Sequence, residues 1–313
     1  MNVTANFDLG YDKPLYILPF DHRHSYGAEV FGYHEPMTTA QIADVAASKQ
    51  VIYEGFKLAL TKGVPVADAG ILVDEEFGTE ILRDAAEHHY IFAMSCEKSG
   101  QHEFDLQYGD EFALHIAEFN PTFVKVLVRC NPEGDQEMNA RQTERLKRLS
   151  DYLHSDRRRL MFELLVPPEP DQLASVGGDA HRFDLELRPN LVIQVIEQMQ
   201  AAGVEPDIWK IEGLDLRSDC ERVVAAVRQG GRDKVCCIVL GRGENEAKVI
   251  EWLQTAATVP GFTGFAVGRS TFLQPIVQLR QGTITRETAI QQIADRYLEW
   301  VRLFEQARTA SAT

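Results

Sequence analysis

The chain has 313 residues, of which 44% are hydrophobic and 25% are charged, an ordinary composition for a globular protein that buries its own core. Its 47 acidic and 32 basic residues give a formal net charge of −15, and such a field repels nucleic-acid phosphates and anionic membrane surfaces. A nucleic-acid partner is therefore not expected, and an anionic ligand would need a local cluster of Lys and Arg.

The amino-terminal residues, the apolar runs and the cysteines bear on the cellular compartment of the protein. The first residues, MNVTANFDLG, contain no basic segment followed by an apolar core, and no apolar run approaches the roughly 18 residues that cross a bilayer. We expect neither export nor membrane association. The cysteines form an odd set without CxxC spacing, which indicates buried free thiols in a reducing compartment, the cytoplasm. They are Cys96, Cys130, Cys220, Cys236 and Cys237.

Short apolar runs rich in branched residues alternate with longer amphipathic stretches, which is typical of βα units around a parallel sheet. The predicted strands are 15–20, 70–73, 91–95, 123–128, 160–166, 207–211, 235–240 and 264–267. The clearest predicted helices are 38–62, 136–154, 188–202, 216–229, 245–257 and 285–308. Eight units, each with a polar loop after its strand, predict an α/β protein with one (β/α)8 TIM barrel over residues 13–308, an extension at 1–12 and a tail at 309–313.

Glycine and proline patterns argue against two other folds and mark one loop. No GxGxxG follows the first strand, where FDHRHSYG stands, and GxxxxGK[ST] is absent, so the sequence favours neither a dinucleotide-binding nor a P-loop protein. The longest stretch predicted to be irregular is 167–183, which carries PPEP and VGGD. Its length suggests a lid or a lip on the catalytic face.

Three strands carry an ionisable residue where parallel strands are usually apolar on both faces. The two-residue period of a strand places Lys125 with Phe123 and Leu127, Glu163 with Met161 and Leu165, and Lys210 with Ile208 and Glu212. If these faces point inward, the three charges converge from adjacent strands. A structural ion-pair network could explain any one of them, but burying all three favours a functional site.

The residue types suit amine chemistry at a carbonyl group. A lysine must be neutral to attack a carbonyl carbon, and burial or a second ammonium lowers its pKa. Lys125 can help to activate Lys210, or the reverse. Glu163, placed between them, can accept the proton that leaves a hydroxyl when a carbon–carbon bond breaks.

Charged residues also follow the first three predicted strands, at the end of the barrel where catalytic residues gather in this fold. The first strand contributes the triplet Asp21, His22 and Arg23. The second and third contribute Asp74, Glu75, Glu97 and Lys98 to the same rim, although each of these four could be a solvated loop charge.

The last two predicted strands end in IVLGRGENE and FAVGRSTF, and loops at these positions often bind phosphate in this fold. Glycine allows a ligand to approach the backbone closely, and arginine supplies charge. The candidates are Gly241, Arg242, Gly243, Gly268 and Arg269, with Ser270 as the expected N-cap of the next helix. Helix C-caps and solvent-facing arginines are the alternative interpretation.

Metal chemistry has little support in the sequence. The nine histidines include no HExxH arrangement and none at the end of a later strand. We expect no metal site and no other cofactor.

At these residues the chain resembles the class I tagatose-bisphosphate aldolases, through DHR, ILVDEEFG, CEKSG, FVKVL, FELLV, DIWKIEG and FAVGRSTF. It is more similar to the aldolase-like domain that follows the sugar kinase in bacterial 5-dehydro-2-deoxygluconokinase, over about residues 13 to 305. The resemblance implies that Lys210 forms the Schiff base, Glu163 is the acid/base and Lys125 is a site lysine. It also implies cleavage of 2-deoxy-5-keto-gluconate 6-phosphate, an intermediate of myo-inositol breakdown, to dihydroxyacetone phosphate and malonate semialdehyde.

Two departures bear on the substrate. The chain has no kinase portion, which leaves its pathway open, and His22 stands where the tagatose enzymes typically carry glutamine. We therefore expect a phosphorylated sugar acid as the small-molecule partner and leave homo-oligomer formation open. Asp21 is assigned to the catalytic group. The predicted substrate-binding residues are His22, Arg23, Glu97, Lys98 and Arg129, with Arg23 or Arg129 meeting the carboxylate.

Two alternatives stay open. One is an aldolase for another ketose phosphate, such as tagatose 1,6-bisphosphate or a sulfosugar phosphate. The other is a non-catalytic barrel that binds a sugar phosphate. The presence of both Lys210 and Glu163 on inward faces speaks against the second, because binding alone needs no neutral amine.

Overall fold

The computed structural model describes residues 8–241 and 245–311. Eight parallel strands pair in chain order, and β8 pairs with β1, so the sheet closes into one barrel. The strands are β1 (Leu15–Pro19), β2 (Ala69–Val73), β3 (Ile91–Ser95), β4 (Phe123–Arg129), β5 (Arg159–Leu165), β6 (Ile208–Glu212), β7 (Cys236–Leu240) and β8 (Phe262–Ala266). The predicted single-domain (β/α)8 TIM barrel is confirmed.

Helices surround the barrel. They are α1 (His24–Tyr26), α2 (Thr39–Thr61), α3 (Glu75–Glu87), α4 (Phe112–Phe119), α5 (Gln136–Ser155), α6 (Pro170–Ser175), α7 (Ala180–Glu186), α8 (Arg188–Ala201), α9 (Arg217–Val227), α10 (Glu246–Ala257), α11 (Arg269–Arg280) and α12 (Arg286–Ala310). A π-helix (Gly27–Phe31) follows α1, and a 3₁₀ turn (Gly109–Glu111) precedes α4. Over the described ranges, no helix combines the length and the apolar character required to cross a membrane.

The ends of all eight strands and of the six helices named from sequence lie within two residues of the predicted positions. The stretch 167–183 was wrongly predicted to be irregular, because it contains α6 and the start of α7. Pro170 occupies the first turn of α6, where its missing N–H costs nothing, and the Glu169 N–H donates to Gln172 Oε1 at 3.0 Å. Asp179 caps α7 by accepting from the His181 N–H at 2.9 Å.

Two apolar layers hold the barrel. The larger lies between the strands and the helices. The smaller fills the interior with Leu15, Ile17, Leu72, Ala93, Phe123, Met161, Ile208, Cys236, Ile238 and Ala266. Adjacent residues of β7 face opposite layers, as the strand period predicts, since Cys236 belongs to the interior and Cys237 to the outer layer. All five cysteines are free and buried.

The amino-terminal end of the barrel is closed by the chain segment that precedes β1. The buried Asp207 carboxylate accepts hydrogen bonds from the Gly10 N–H and the Leu160 N–H, both at 2.8 Å. The Tyr11 ring packs edge-on against Phe123, with ring centroids 5.1 Å apart. The opposite end, at the carboxyl ends of the strands, is therefore the open mouth.

We predict that Gly264→Ala destabilises the seam where β8 meets β1. A Cβ at this position would lie 1.7 Å from the Leu15 carbonyl oxygen, so two paired strands must separate. The free energy of unfolding in urea should fall by about 3 kcal/mol or more. Gly177→Ala is the control, because that site has open space and only a positive φ of 73°, which costs about 1 to 2 kcal/mol. Equal losses in the two variants would contradict the prediction.

Candidate active site

A cavity of about 400 Å³ opens at the carboxyl ends of the strands. Its walls come from the loop after β1, the loop after β3, the ends of β4 to β6, and the loops after β7 and β8. Except for Arg242 and Gly243, which lie outside the described residues, every residue predicted to be catalytic, substrate-binding or phosphate-binding lines it. The charged side chains at its floor are Asp21, Glu97, Lys125, Glu163 and Lys210.

Lys125, Glu163 and Lys210 come together in the interior from three adjacent strands. Strand register places Glu163 directly beside Lys210. Glu163 bridges the two amines, with Oε1 2.7 Å from Lys210 Nζ and Oε2 2.9 Å from Lys125 Nζ. All three residues are at most 7% exposed, so these contacts operate with little solvent screening.

The two lysines have different surroundings. Lys125 Nζ contacts three carboxylates, those of Asp21 at 2.7 Å, Glu97 at 2.8 Å and Glu163 at 2.9 Å. Burial alone would lower the pKa of Lys125, but the three negative charges outweigh it and hold the pKa well above its usual value. Lys125 is therefore a permanent ammonium. Within the described part of the chain, the carboxylate that contacts the Lys210 amine is that of Glu163.

The carboxyl groups of Asp21 and Glu163 respond in the opposite direction. Burial tends to raise the pKa of each, but the ammonium groups of Lys125 and Lys210 outweigh that effect and leave both pKa values below their usual range. Both groups are carboxylates at neutral pH. Glu163 is thus an acceptor for protons within 3 Å of both amines.

His22 provides a neutral polar group on the cavity wall. Burial lowers the pKa of its imidazole to about 4, with Arg269 and Lys210 adding to the shift and Asp21 opposing it. Its ring packs against Phe272 at 6.3 Å between centroids. Nδ1 is buried and has no hydrogen-bond partner among the described residues, so it is available to a ligand.

Arg23 and Lys98 serve the loop after β3 in different ways. Arg23 Nη2 donates to the Glu97 carbonyl at 2.5 Å, and Nη1 donates to Gln107 Oε1 at 3.3 Å, so its guanidinium braces that loop. Lys98 lies at the rim, about half exposed, with its amine paired to Asp105. Both line the cavity, but Arg23 has its terminal nitrogens engaged by protein groups.

Arg129 and Gln101 form another part of the same wall. Arg129 Nη1 donates to the Gln101 carbonyl at 2.9 Å. Gln101 was not among the residues predicted from sequence. It stands in the EKSGQ stretch that follows the third strand, in the same loop as Glu97 and Lys98. This position is the feature of the sequence that could have identified Gln101 as a site residue.

Three carboxylates do not line the cavity, although the sequence analysis put Asp74 and Glu75 on its rim and Glu212 on the strand face of Lys210. Asp74 caps α3 by accepting from the Phe77 N–H at 2.9 Å, and it pairs with the fully buried Lys49. Glu75 contacts His115 Nδ1 at 2.8 Å. Neither residue lines the cavity, and neither is a solvated loop charge, because helix capping and ion pairing engage both of them at the N-terminus of α3. Glu212 accepts from the Val166 N–H at 3.1 Å and is not among the cavity-lining residues.

The glycine-rich wall lies after β7 and β8, where Gly241, Gly268, Arg269 and Ser270 line the cavity. The sequence wrongly assigned Ser270 as an N-cap. Gly268 holds that position, with φ −99° and ψ −83°, and α11 begins at Arg269. A Cβ at Gly268 would lie 2.3 Å from the Pro19 carbonyl oxygen, which explains the glycine. The first turn of a helix presents free N–H groups that favour an anion.

Residues 8–308 match the family described as "Uncharacterized protein conserved in bacteria (DUF2090)". The chain belongs to the DUF2090 family. A comparison with curated proteins gave no match.

Solved structures resemble this DUF2090 protein along most of its length. Cgl0159 from Corynebacterium glutamicum has a TM-score of 0.55 at 20% identity, covering 93% of this chain and 87% of that one. Fructose-bisphosphate aldolase from Slackia heliotrinireducens has 0.55 at 14%, covering 90% and 86%. An archaeal fructose-1,6-bisphosphate aldolase, with its catalytic Lys covalently bound to the carbinolamine intermediate, has 0.55 at 12%, covering 96% of each. At these identities the likeness establishes a common fold.

The charge cluster of this DUF2090 protein predicts an unusual pH dependence for Lys125→Met. Removing one partner of a buried ion pair costs about 3 to 5 kcal/mol of unfolding free energy. In the native protein, Asp21 and Glu163 have lowered pKa values. These stabilise the fold at pH values above the pKa values of the unfolded chain, and the contribution is lost as pH falls through the pKa values of the folded state. Without Lys125, burial should raise the same pKa values, so the folded variant binds protons more readily than its unfolded chain. Its stability deficit should shrink between about pH 7.5 and about pH 5.

Urea unfolding of both proteins at the two pH values measures this difference. Lys98→Met is the control, because its half-exposed pair with Asp105 should contribute less than about 1 kcal/mol at either pH. A Lys125→Met deficit that stays constant with pH would show that the three carboxylates do not depend on this ammonium.

Proposed function

We propose that this protein is a class I aldolase that forms a Schiff base on Lys210 and cleaves a phosphorylated ketose acid. The observation that carries the proposal is the Glu163 carboxylate, which bridges the two buried amines at the mouth of the barrel. Lys125 is locked as an ammonium by three carboxylates, which leaves Lys210 as the amine for nucleophilic attack. The shared fold with Schiff-base aldolases supports the same reaction class.

The proposed reaction begins at the substrate ketone. Lys210 Nζ attacks the C5 carbonyl carbon, and loss of water from the carbinolamine gives an iminium. Glu163, 2.7 Å from that nitrogen, accepts the proton that the amine gives up and returns it to the departing hydroxyl. The positive iminium then attracts the electron pair of the C3–C4 bond.

Cleavage uses the same carboxylate a second time. Glu163 takes the proton of the C3 hydroxyl while the C3–C4 bond opens, and the electron pair is stored as an enamine. Protonation at C4 and hydrolysis of the imine release dihydroxyacetone phosphate. Lys125 supports both steps, because its charge keeps Glu163 ionised, and Asp21 in turn holds Lys125 in place.

The proposed substrate lies across the cavity. Its phosphate contacts Gly241, Gly268 and the first turn of α11, with Arg269 and the proposed Arg242 and Gly243 supplying the rest of that site. Its other end contacts the wall formed by the loop after β3 and by Arg129, near the proposed contacts His22, Arg23, Glu97 and Lys98. Binding energy from a phosphate remote from the reacting carbons can be used to orient the scissile bond.

The proposed substrate is 2-deoxy-5-keto-gluconate 6-phosphate, which yields malonate semialdehyde as the second product. The motif resemblance supports this choice, and so does a polar wall opposite the phosphate loops. The five free thiols support a cytoplasmic setting. A panel of ketose phosphates with coupled detection of dihydroxyacetone phosphate would rank this compound against tagatose 1,6-bisphosphate and sulfosugar phosphates.

Borohydride trapping tests the covalent step. With dihydroxyacetone phosphate present, borohydride should reduce an imine and fix the ligand to Lys210, as located by peptide mass. Lys210→Ala should abolish the adduct, and Lys210→Arg should do so too, because a guanidinium stays charged and cannot act as the nucleophile. Lys147→Ala, which removes an exposed lysine on α5, is the control and should retain the adduct.

Two results would contradict this assignment. An adduct on Lys125 or Lys98 would leave the reaction class unchanged, but that lysine, and not Lys210, would be the nucleophilic amine. Failure of every ketose phosphate to give an adduct, together with activity that EDTA abolishes, would exclude the Schiff-base mechanism in favour of a metal-dependent one.

Glu163→Gln should separate imine formation from cleavage. The variant keeps the Lys210 amine but loses the base, so trapping with dihydroxyacetone phosphate should persist at a reduced rate while substrate cleavage falls by about 10²- to 10⁴-fold. Rapid-quench measurement of both steps tests this. Equal loss of trapping and cleavage would mean that Glu163 acts only on the amine.

A further inference from the structure

The side-chain amide of Gln101 has a fixed orientation. Its Oε1 accepts a hydrogen bond from the Asp105 N–H at 2.7 Å, and a backbone N–H can only donate, so the oxygen must face that way. Nε2 therefore faces away from the loop backbone. Nε2 is buried and has no acceptor among the described residues, although Gln101 lines the cavity. A buried amide donor in this position requires an acceptor, which a ligand can supply.

Arg129 provides a second donor beside it. One of its five N–H groups is used by the Gln101 carbonyl at 2.9 Å, which ties the guanidinium to the same residue. Arg129 lines the cavity at the end of β4, and the structure gives it no ion pair with a described carboxylate. Gln101 and Arg129 thus present two kinds of N–H donor, and one positive charge, to the same part of the cavity.

The local charge decides which anion fits. Glu97 lines the same wall, is 5% exposed, and has its Oε2 buried without a hydrogen-bond partner among the described residues. The other cations of this wall are already paired, Arg23 and Lys125 with Glu97 and Lys98 with Asp105, so among the described residues Arg129 is the cation left for a ligand. Arg129 can offset only one of the two negative charges of a phosphate. A planar monoanionic carboxylate matches the charge and the two donors better. The free oxygen of Glu97 calls for a donor, which a neighbouring substrate hydroxyl can provide.

Barrel topology sets this wall opposite the glycine-rich loops. β4 and β8 are four places apart in a ring of eight strands, so their ends face each other across the mouth. The Glu163 bridge lies between them, one strand beyond β4. A ligand that contacts both walls therefore spans the reacting amine.

We infer that Gln101 and Arg129 form a carboxylate subsite, which selects ketose phosphates whose aldehyde half ends in a carboxylate and carries a hydroxyl at the cleaved bond. The inference rests on the proposed function and names the residues that select its substrate. It assigns the selecting role to Gln101 with Arg129 and not to Arg23, whose terminal nitrogens brace the Glu97 loop.

Condensation with dihydroxyacetone phosphate tests the subsite, with malonate semialdehyde and propanal as paired aldehydes that differ by the carboxylate. The native protein should prefer malonate semialdehyde by about 10²-fold or more in kcat/KM, as expected for a charge-assisted pair of hydrogen bonds. Gln101→Glu keeps the bond to the Asp105 N–H but replaces the free donor with a negative oxygen. It and Arg129→Met should each reduce the preference to within about 10-fold of unity.

Arg141→Met is the matched control, since it removes the same charge from an exposed position on α5 and should leave the preference unchanged. Unchanged preference in Gln101→Glu and Arg129→Met, with borohydride adducts still formed, would overturn the subsite and leave the aldolase proposal standing. Glyceraldehyde 3-phosphate outcompeting malonate semialdehyde, with loss of that advantage in Arg129→Met, would overturn the carboxylate in favour of a phosphate. Absence of condensation and of adducts in the native protein would instead remove the aldolase proposal on which the subsite rests.

Discussion

Lys125 is held by three carboxylates at the floor of the cavity, and the other charges of the site are arranged around that contact. Each carboxylate comes from a different part of the barrel: Asp21 from the end of β1, Glu97 from the loop after β3, and Glu163 from β5. Because unpaired charges are costly to bury, the ammonium and its partners stabilise one another's ionised forms. Glu163 then has one oxygen left for Lys210, so the same contact sets the protonation state of the proposed base and its distance from the proposed nucleophile.

This arrangement depends on apolar packing directly beneath it. Phe123, Met161 and Ile208 precede the three charged residues by two positions and fill the interior layer, so the strand period alternates a packed floor with a charged surface. Register between β5 and β6 places Glu163 beside Lys210 without help from any loop. Sites on strands are held more precisely than sites on loops, which suits a carboxylate that must serve two amines.

The parts of the fold and site that sequence could predict are those governed by strand periodicity. Alternation predicted that Lys125 and Lys210 would share an inward face with apolar neighbours, and burial of the strands on both faces made their charges conspicuous. Side-chain positions in loops and at helix starts depend on local capping hydrogen bonds, and the hydrophobic pattern of the sequence does not reveal these. Asp74 appeared to be a rim residue, but it caps α3 and pairs with Lys49, which lies 25 residues earlier on α2. Gln101 was missed because an amide has no charge to mark it, and its role depends on a hydrogen bond to the Asp105 N–H.

The closure of the barrel's amino-terminal end has a consequence for the order of assembly during synthesis. The first described residues are fixed by partners far along the chain, since the Gly10 N–H binds Asp207 and the Tyr11 N–H donates to the Lys234 carbonyl at 2.8 Å. A ribosome that adds residues from the amino end exposes this segment long before either partner emerges. The segment must therefore stay unpaired until β6 and the approach to β7 have been made, and β1 waits longer still for β8. Completion of the barrel is therefore a late event that depends on contacts between residues far apart in sequence, a kind of contact that forms slowly.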